Sequence, residues 1–195
     1  MNDAQKIIDF IHYTEKLKTE LRLASKSDKC RESVADHTWR LSLMLILVVP
    51  KLGIKVDHLK ILKMAIIHDV VEIEAKDIPR LESIVSSRLS NDIKLKEKAA
   101  INNIKKMLGD SGQEIFDLWN EFDEYKTNEA KALRFLDKLE GQLQFLTEDV
   151  TTFTKYNKEA IQKIIDETKE LSKVDPFLTE LDNLTLQERK ERIKL

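Results

Sequence analysis

MAIIHDVVEIEAKDIP, residues 64–79, is the stretch on which the fold turns. Its first half is apolar on nearly every face, the pattern of a helix surrounded by protein. Its end is set by Ile78–Pro79, because a proline pushes the residue before it out of the α region. Upstream, Asp57 is a good N-cap for the run Leu59, Ile61, Leu62, Met64, Ala65, Ile66, Ile67. The spacing predicts one central helix from Asp57 to at least Glu72. Within it, His68 and Asp69 stand where the pattern asks for apolar side chains. A buried carboxylate with no partner costs several kcal/mol, so something must compensate it. Glu72 follows His68 by four positions and Asp69 by three, which puts all three on one side of the helix.

Working outward, Ile7, Ile8, Phe10, Ile11 and Leu17 predict a first helix over residues 3–19. TELRLASKSDKCRE, residues 19–32, follows neither regular period and reads as a loop. Ser33, with Asp36 three residues on, caps a second helix that runs to about Pro50. Beyond Pro79 a long charged helix is expected from about Ser86 to Leu108, then a turn at Gly109–Asp110–Ser111–Gly112 and a helix over about 113–124. Thr127 caps the next, 128–148, another spans 157–173, and Pro176 starts a short terminal helix. No stretch alternates at period two. The expected architecture is all-α, a multi-helix bundle in one domain over 1–195, with a site-bearing core at about 20–150 and C-terminal helices over 157–195.

Composition narrows the function classes. The 33 basic and 35 acidic residues of the 195 give a net charge of −2, so there is no broad positive field for nucleic acid. A single nucleotide needs only one or two local cations and stays open. Cys30 is the one cysteine, which rules out an intramolecular disulfide and is compatible with a cytoplasmic setting. MNDAQKIIDFIHY does not read as a signal peptide. The longest apolar stretch, Leu43 to Pro50, falls far short of the ~20 residues of a membrane span.

Two further residues break the apolar pattern as His68 and Asp69 do. Asp137 lies in ALRFLDKLEGQL beside the stripe of Leu133, Leu136 and Leu143. His37 sits in the first turn of the second helix, ahead of Leu41, Met44 and Leu45. Each alone is more often a satisfied core histidine or a helix cap. Together His37, His68, Asp69 and Asp137 offer two imidazoles and two carboxylates, a donor set that suits Mn²⁺, Fe²⁺, Co²⁺ or Mg²⁺ better than a thiolate-rich structural zinc site. Asp77 is a further polar residue, at the rigid Ile78–Pro79 stop. His12, His58, Glu15, Glu74 and the Lys/Glu run 94–98 read as surface or structural, and Cys30 has no local base to make it a nucleophile.

The order His, His–Asp, distant Asp resembles the HD-domain metal-dependent phosphohydrolases. RESVADHTWRLSLM (31–44) followed by AIIHDVVEIEAKDIP (65–79), with EKLKTELR (15–22) before them, is similar to the 5'-deoxynucleotidase branch of that family. The resemblance implies an all-α bundle, often a homodimer, acting on deoxynucleoside 5'-monophosphates. It implies that His37, His68, Asp69 and Asp137 hold one divalent ion (Mn, Co, Mg or Fe), with a second ion near Glu72 and Asp77 left open. Glu72 would orient or deprotonate the attacking water, Asp77 would lie beside the nucleotide or bind a second ion, and Arg22 would pair with the phosphate. Substrate contacts would come from Arg22, Asp77, Ile78, Pro79 and Arg80. The chain departs from many relatives shortly after Arg22, where a tryptophan is common and this sequence reads Leu23–Ala24–Ser25, at Cys30, and at Arg80, which is a phosphate contact or a surface charge. Other hydrolytic outcomes of the family, a phosphodiesterase or a guanosine-tetraphosphate hydrolase, are alternatives. A nucleotide-binding protein with a degenerate site is the non-enzymatic one.

Overall fold

Capping chemistry places the helix starts. A computed structural model describes residues 2–147 and 157–193. The Asn2 side chain accepts from Gln5 N and opens α1, Asp3–Thr14, which tightens into a 3-10 turn over Glu15–Lys18. Two strands follow, β1 (Leu21–Ser25) and β2 (Arg31–Ser33). Ser33 and Asp36 exchange side-chain and backbone bonds in a reciprocal capping box that starts α2, Val34–Val48. Asp57 accepts from Leu59 N and Lys60 N at the head of α3, His58–Ile67. Short helices α4 (Glu72–Ala75) and α5 (Arg80–Ser83) lead to α6, Ser87–Leu108, capped by Ser86. Then come α7 (Gln113–Glu124) and α8 (Asn128–Leu146), the latter capped by Thr127. Asn157 caps α9, Lys158–Ser172, and α10 spans Pro176–Ile193.

The helical bundle matches the expected class, and three local expectations are corrected. The segment 19–32 is not a loop but an antiparallel hairpin, with Leu21 opposite Ser33 and Ser25 opposite Arg31. Its register shifts between those pairs, and only Ala24 of β1 is buried, so no clean alternation is left in the sequence. The helix from Asp57 does not reach Glu72. It ends at Ile67, and the chain tightens through i→i+3 bonds from Val70 N to Ile67 O and from Glu72 N to Asp69 O before α4 begins. The helix started by Pro176 is long rather than short. The expected end of the 128–148 helix at residue 148 lies outside the described residues.

The central element is α8 rather than α3. It packs against α2, α3, α7, α9, α10 and β1, and Ala132, Leu133, Phe135 and Leu136 on it are fully buried. On α3, Ile61, Met64 and Ala65 face inward while Leu59 and Ile66 are exposed. An apolar sequence on all sides did not make that helix central, because exposure of single large apolar residues costs little compared with what the buried face gains. A second cluster of Val70, Val71, Ile73, Ile101, Ile104 and Trp119 holds the turn after α3 against α6 and α7. Leu133→Ala is expected to lower the unfolding free energy by about 2–5 kcal/mol, the range for a truncated buried leucine, read by urea denaturation followed by circular dichroism.

Candidate metal centre and its adjoining cavities

Three segments far apart in sequence converge at one point. His37 lies in the first turns of α2, held there by the Ser33 capping box. His68 and Asp69 leave the end of α3 where the chain tightens, and Asp137 projects from the middle of α8. His37 Nε2 is 3.3 Å from Asp137 Oδ1 and 3.7 Å from Asp69 Oδ2. His68 Nε2 is 3.1 Å from Asp69 Oδ2 and 3.9 Å from Asp137 Oδ1. The two imidazole rings are 5.5 Å apart, and donor atoms of His37, His68 and Asp69 lie within 4.8 Å of one another. All four residues expected to supply donors are therefore brought together.

The outer nitrogens of the rings are committed elsewhere. His68 Nδ1 donates to the carbonyl of Ala65 at 2.8 Å, and His37 Nδ1 meets Glu140 Oε2 at 2.5 Å. These partners assign the proton to Nδ1 and leave the Nε2 lone pairs directed inward. Both Nε2 atoms are buried with no hydrogen-bond partner among the described residues. Buried polar nitrogens are rarely orphaned, and two of them aimed at the same pair of carboxylates fit a cation held between them.

Charge is distributed to match. Burial alone would push the Asp69 carboxyl up, but the positive charge and hydrogen bond that the His68 ring supplies when protonated, with the charge of a protonated His37, outweigh it and hold the group at about 2. Burial opposes ionisation of Asp137 too, and there the Lys138 ammonium at 2.9 Å and the same imidazoles bring it well below the usual range. Glu72 behaves the other way. Burial, then the charges of Asp69 and Asp77, push its carboxyl well above the usual range. Asp77 is raised chiefly by burial, with Arg22 opposing. Arg22 reaches in from β1, its Nη1 3.4 Å from Asp69 Oδ2 and its Nε 3.3 Å from Glu32 Oε2.

Glu140 is the residue that the sequence pattern did not single out. It is fully buried one helical turn beyond Asp137, holds His37 by its ring nitrogen, and accepts from Arg40 Nε at 2.5 Å. The signal was available: a glutamate three residues after Asp137 on the same buried face of the helix. Glu140→Gln is expected to keep the helical spectrum and weaken divalent-metal affinity about 10–100-fold, as loss of a ligand-orienting carboxylate does, measured by calorimetric metal titration.

Two cavities open from this point. The larger, about 480 Å³, is bordered by His68, Asp69, Glu72, Asp77, Asp137 and residues of α6 and α7, including Glu97 and Trp119. Glu97 thus faces a cavity, not the open solvent expected for the run 94–98. The smaller, about 120 Å³ and mostly apolar, runs from Arg22 and Asp137 toward α9 and α10. Arg22, Asp77, Arg80, Asp137 and Lys138 border both. Ile78 lines the larger and Pro79 the smaller. Arg80 is at the rim, but its guanidinium is paired with Glu167 of α9 at 2.9 Å.

Residues 14–176 match a family profile described as "HD domain". The chain is similar to "5'-deoxynucleotidase HDDC2" of Dictyostelium discoideum, 31% identical over 169 residues that cover 83% of this chain and 87% of that protein. Its Xenopus laevis namesake is 33% identical over 116 residues, 59% of this chain and 54% of that protein. Among solved structures, a predicted metal-dependent phosphohydrolase from Magnetospirillum magnetotacticum MS-1 superposes with a TM-score of 0.80 at 23% identity, covering 98% of this chain and 93% of that one. That likeness speaks for the fold.

Proposed function

This chain belongs to the HD-domain family of metal-dependent phosphohydrolases, and from that premise we propose that it hydrolyses deoxynucleoside 5'-monophosphates to nucleoside and phosphate. The observation that carries the proposal is the pair of orphaned imidazole nitrogens of His37 and His68, set against Asp69 and Asp137 at the mouth of two cavities. His37, His68, Asp69 and Asp137 would hold one divalent cation, and two nitrogens with two carboxylate oxygens support Mn²⁺, Co²⁺, Fe²⁺ or Mg²⁺. A second ion near Glu72 and Asp77 is the other arrangement this carboxylate cluster supports. When bound, the ion supplies an acidified water and a counter-charge for the phosphate.

The remaining work falls to protein side chains. A phosphomonoester dianion repels an anionic nucleophile, so neutralising it is the main demand. Arg22 offers a planar fork of donors that a lysine does not reproduce. Glu72, whose carboxyl holds a proton more readily than a solvent-exposed one, orients the water and takes its proton. The water oxygen then bonds to phosphorus as the bond to the 5'-oxygen breaks, and Asp77 delivers a proton to that oxygen. Arg80, tied to Glu167, shapes the rim and keeps α5 on α9.

A phosphate-release screen tests this directly. Deoxynucleoside monophosphates are expected to release phosphate with added Mn²⁺ or Co²⁺, at rates above those for cyclic dinucleotides and guanosine tetraphosphate. Turnover that persists undiminished in metal-stripped protein refutes it. We also assign the protein to the cytoplasm, supported by its single exposed cysteine. A homodimer is part of the same proposal, supported by the outward face of α2, where Trp39, Ile46 and Leu47 are each at least 60% exposed. Trp39→Glu is expected to shift the species seen by sedimentation equilibrium from dimer to monomer.

A further inference from the structure

The smaller cavity is lined in part by a residue that hydrolysis does not use. Arg189, on α10 and beyond the span matched by the family profile, is 5% exposed. Its Nη2 donates to Gln142 Oε1 at 2.9 Å, and Gln142 Nε2 donates to Thr168 Oγ1 at 2.7 Å. Both polar ends of Gln142 are thus occupied in fixing the guanidinium. The Arg189 Nε–H is buried and has no hydrogen-bond partner among the described residues. Asp182 acts on it only through its field, and burial pulls the group's pKa down. An unanswered donor on a buried cation is costly. Arg189 lines the cavity together with Leu81, Phe145, Ile161 and Ile164.

We propose that this cavity is the nucleobase subsite and that Arg189, positioned by Gln142, selects bases presenting a carbonyl oxygen, guanine over adenine. The proposal rests on the 5'-nucleotidase reading for the placement of the phosphate beside Arg22 and Asp137, which border the same cavity. The aliphatic and aromatic walls suit the faces of a flat base and disfavour a hydrated anion. The Arg189 guanidinium on this wall then meets the base edge. Guanine and hypoxanthine present O6 there, whereas adenine presents an amino group whose hydrogens oppose the guanidinium. Arg189 lies in α10 and Gln142 in α8, so the subsite exists only where the C-terminal helix packs on the central one.

The test uses dGMP, dIMP and dAMP with one divalent metal, together with calorimetric binding of the three free nucleosides. The expected kcat/KM for dGMP and dIMP exceeds that for dAMP about tenfold or more, and deoxyguanosine and deoxyinosine bind more tightly than deoxyadenosine in the same order of magnitude. Arg189→Met, with folding checked by circular dichroism, lowers kcat/KM on dGMP and dIMP and collapses the ratio toward one. Equal nucleoside affinities in the unaltered protein overturn the proposal whether or not the variant folds. So does a folded Arg189→Met that keeps the preference. No phosphate from any of the three, nor from 2-deoxyribose 5-phosphate, removes the hydrolase reading instead, and the nucleoside affinities still decide the subsite.

Discussion

Asp69→Ala abolishes both divalent-metal retention and phosphate release: the expected fall in kcat is at least about 10³-fold, with helical content preserved. Asp69 Oδ2 lies 3.1 Å from His68 Nε2 and 3.4 Å from Arg22 Nη1, so its carboxylate stands between the nitrogen donors and the proposed phosphate-binding arginine. Removing it takes away one negative donor and frees Arg22 to swing. A Lewis-acid centre is worth several kcal/mol of transition-state stabilisation, and each 1.36 kcal/mol is tenfold in rate, which sets the size of the loss at about 10³. The fold survives because the side chain is partly exposed at the cavity and contributes no packing to the α8 core. Elemental analysis after gel filtration, paired with phosphate release under saturating Mn²⁺, checks both halves. A variant that retains stoichiometric metal and near-normal turnover removes Asp69 from the donor set.

Glu72→Gln dissociates the two effects. Metal content is expected to stay at the level of the unaltered protein, while kcat falls about 10²–10⁴-fold, the contribution of one positioned general base. Glu72 heads α4 directly after the turn that carries His68 and Asp69, and it borders the larger cavity with Oε2 buried and without a partner among the described residues. Glutamine keeps the shape and the hydrogen-bonding capacity but cannot take a proton. Loss of metal in this variant instead makes Glu72 a ligand, and unchanged kcat makes it structural.

Much of this site was legible because its parts violate local rules. Histidine and aspartate at the end of an apolar run, and aspartate inside the stripe of Leu133 and Leu136, stand out against helical periodicity alone. Caps were equally legible, since Ser33, Asp57, Thr127 and Pro176 act within a few residues of themselves. What stayed hidden depends on tertiary contact. The hairpin carrying Arg22 shows no alternation because its register shifts, and one side of a short ribbon has little to bury. The break after Ile67 follows from Trp119 Nε1 donating to the carbonyl of His68 at 3.1 Å, a partner 51 positions away. Glu140 and Arg189 read as ordinary charges of amphipathic helices until their neighbours from α2 and α8 are in place.

The break after Ile67 also sets an order of assembly. His68 and Asp69 are adjacent in the chain, but His37 and Asp137 join them only when α2 and α8 close over the turn. A nascent chain emerging from its N-terminus therefore carries three of the four proposed donors long before it carries the proposed site. The affinity for a cation would belong to the finished fold and not to any fragment of it, so a bound ion would add its binding free energy to a fold that forms without it. At 100 times its dissociation constant such an ion deepens the native well by about 2.7 kcal/mol. Cellular metal supply thereby becomes a determinant of how long each molecule lasts, as well as of how fast it works.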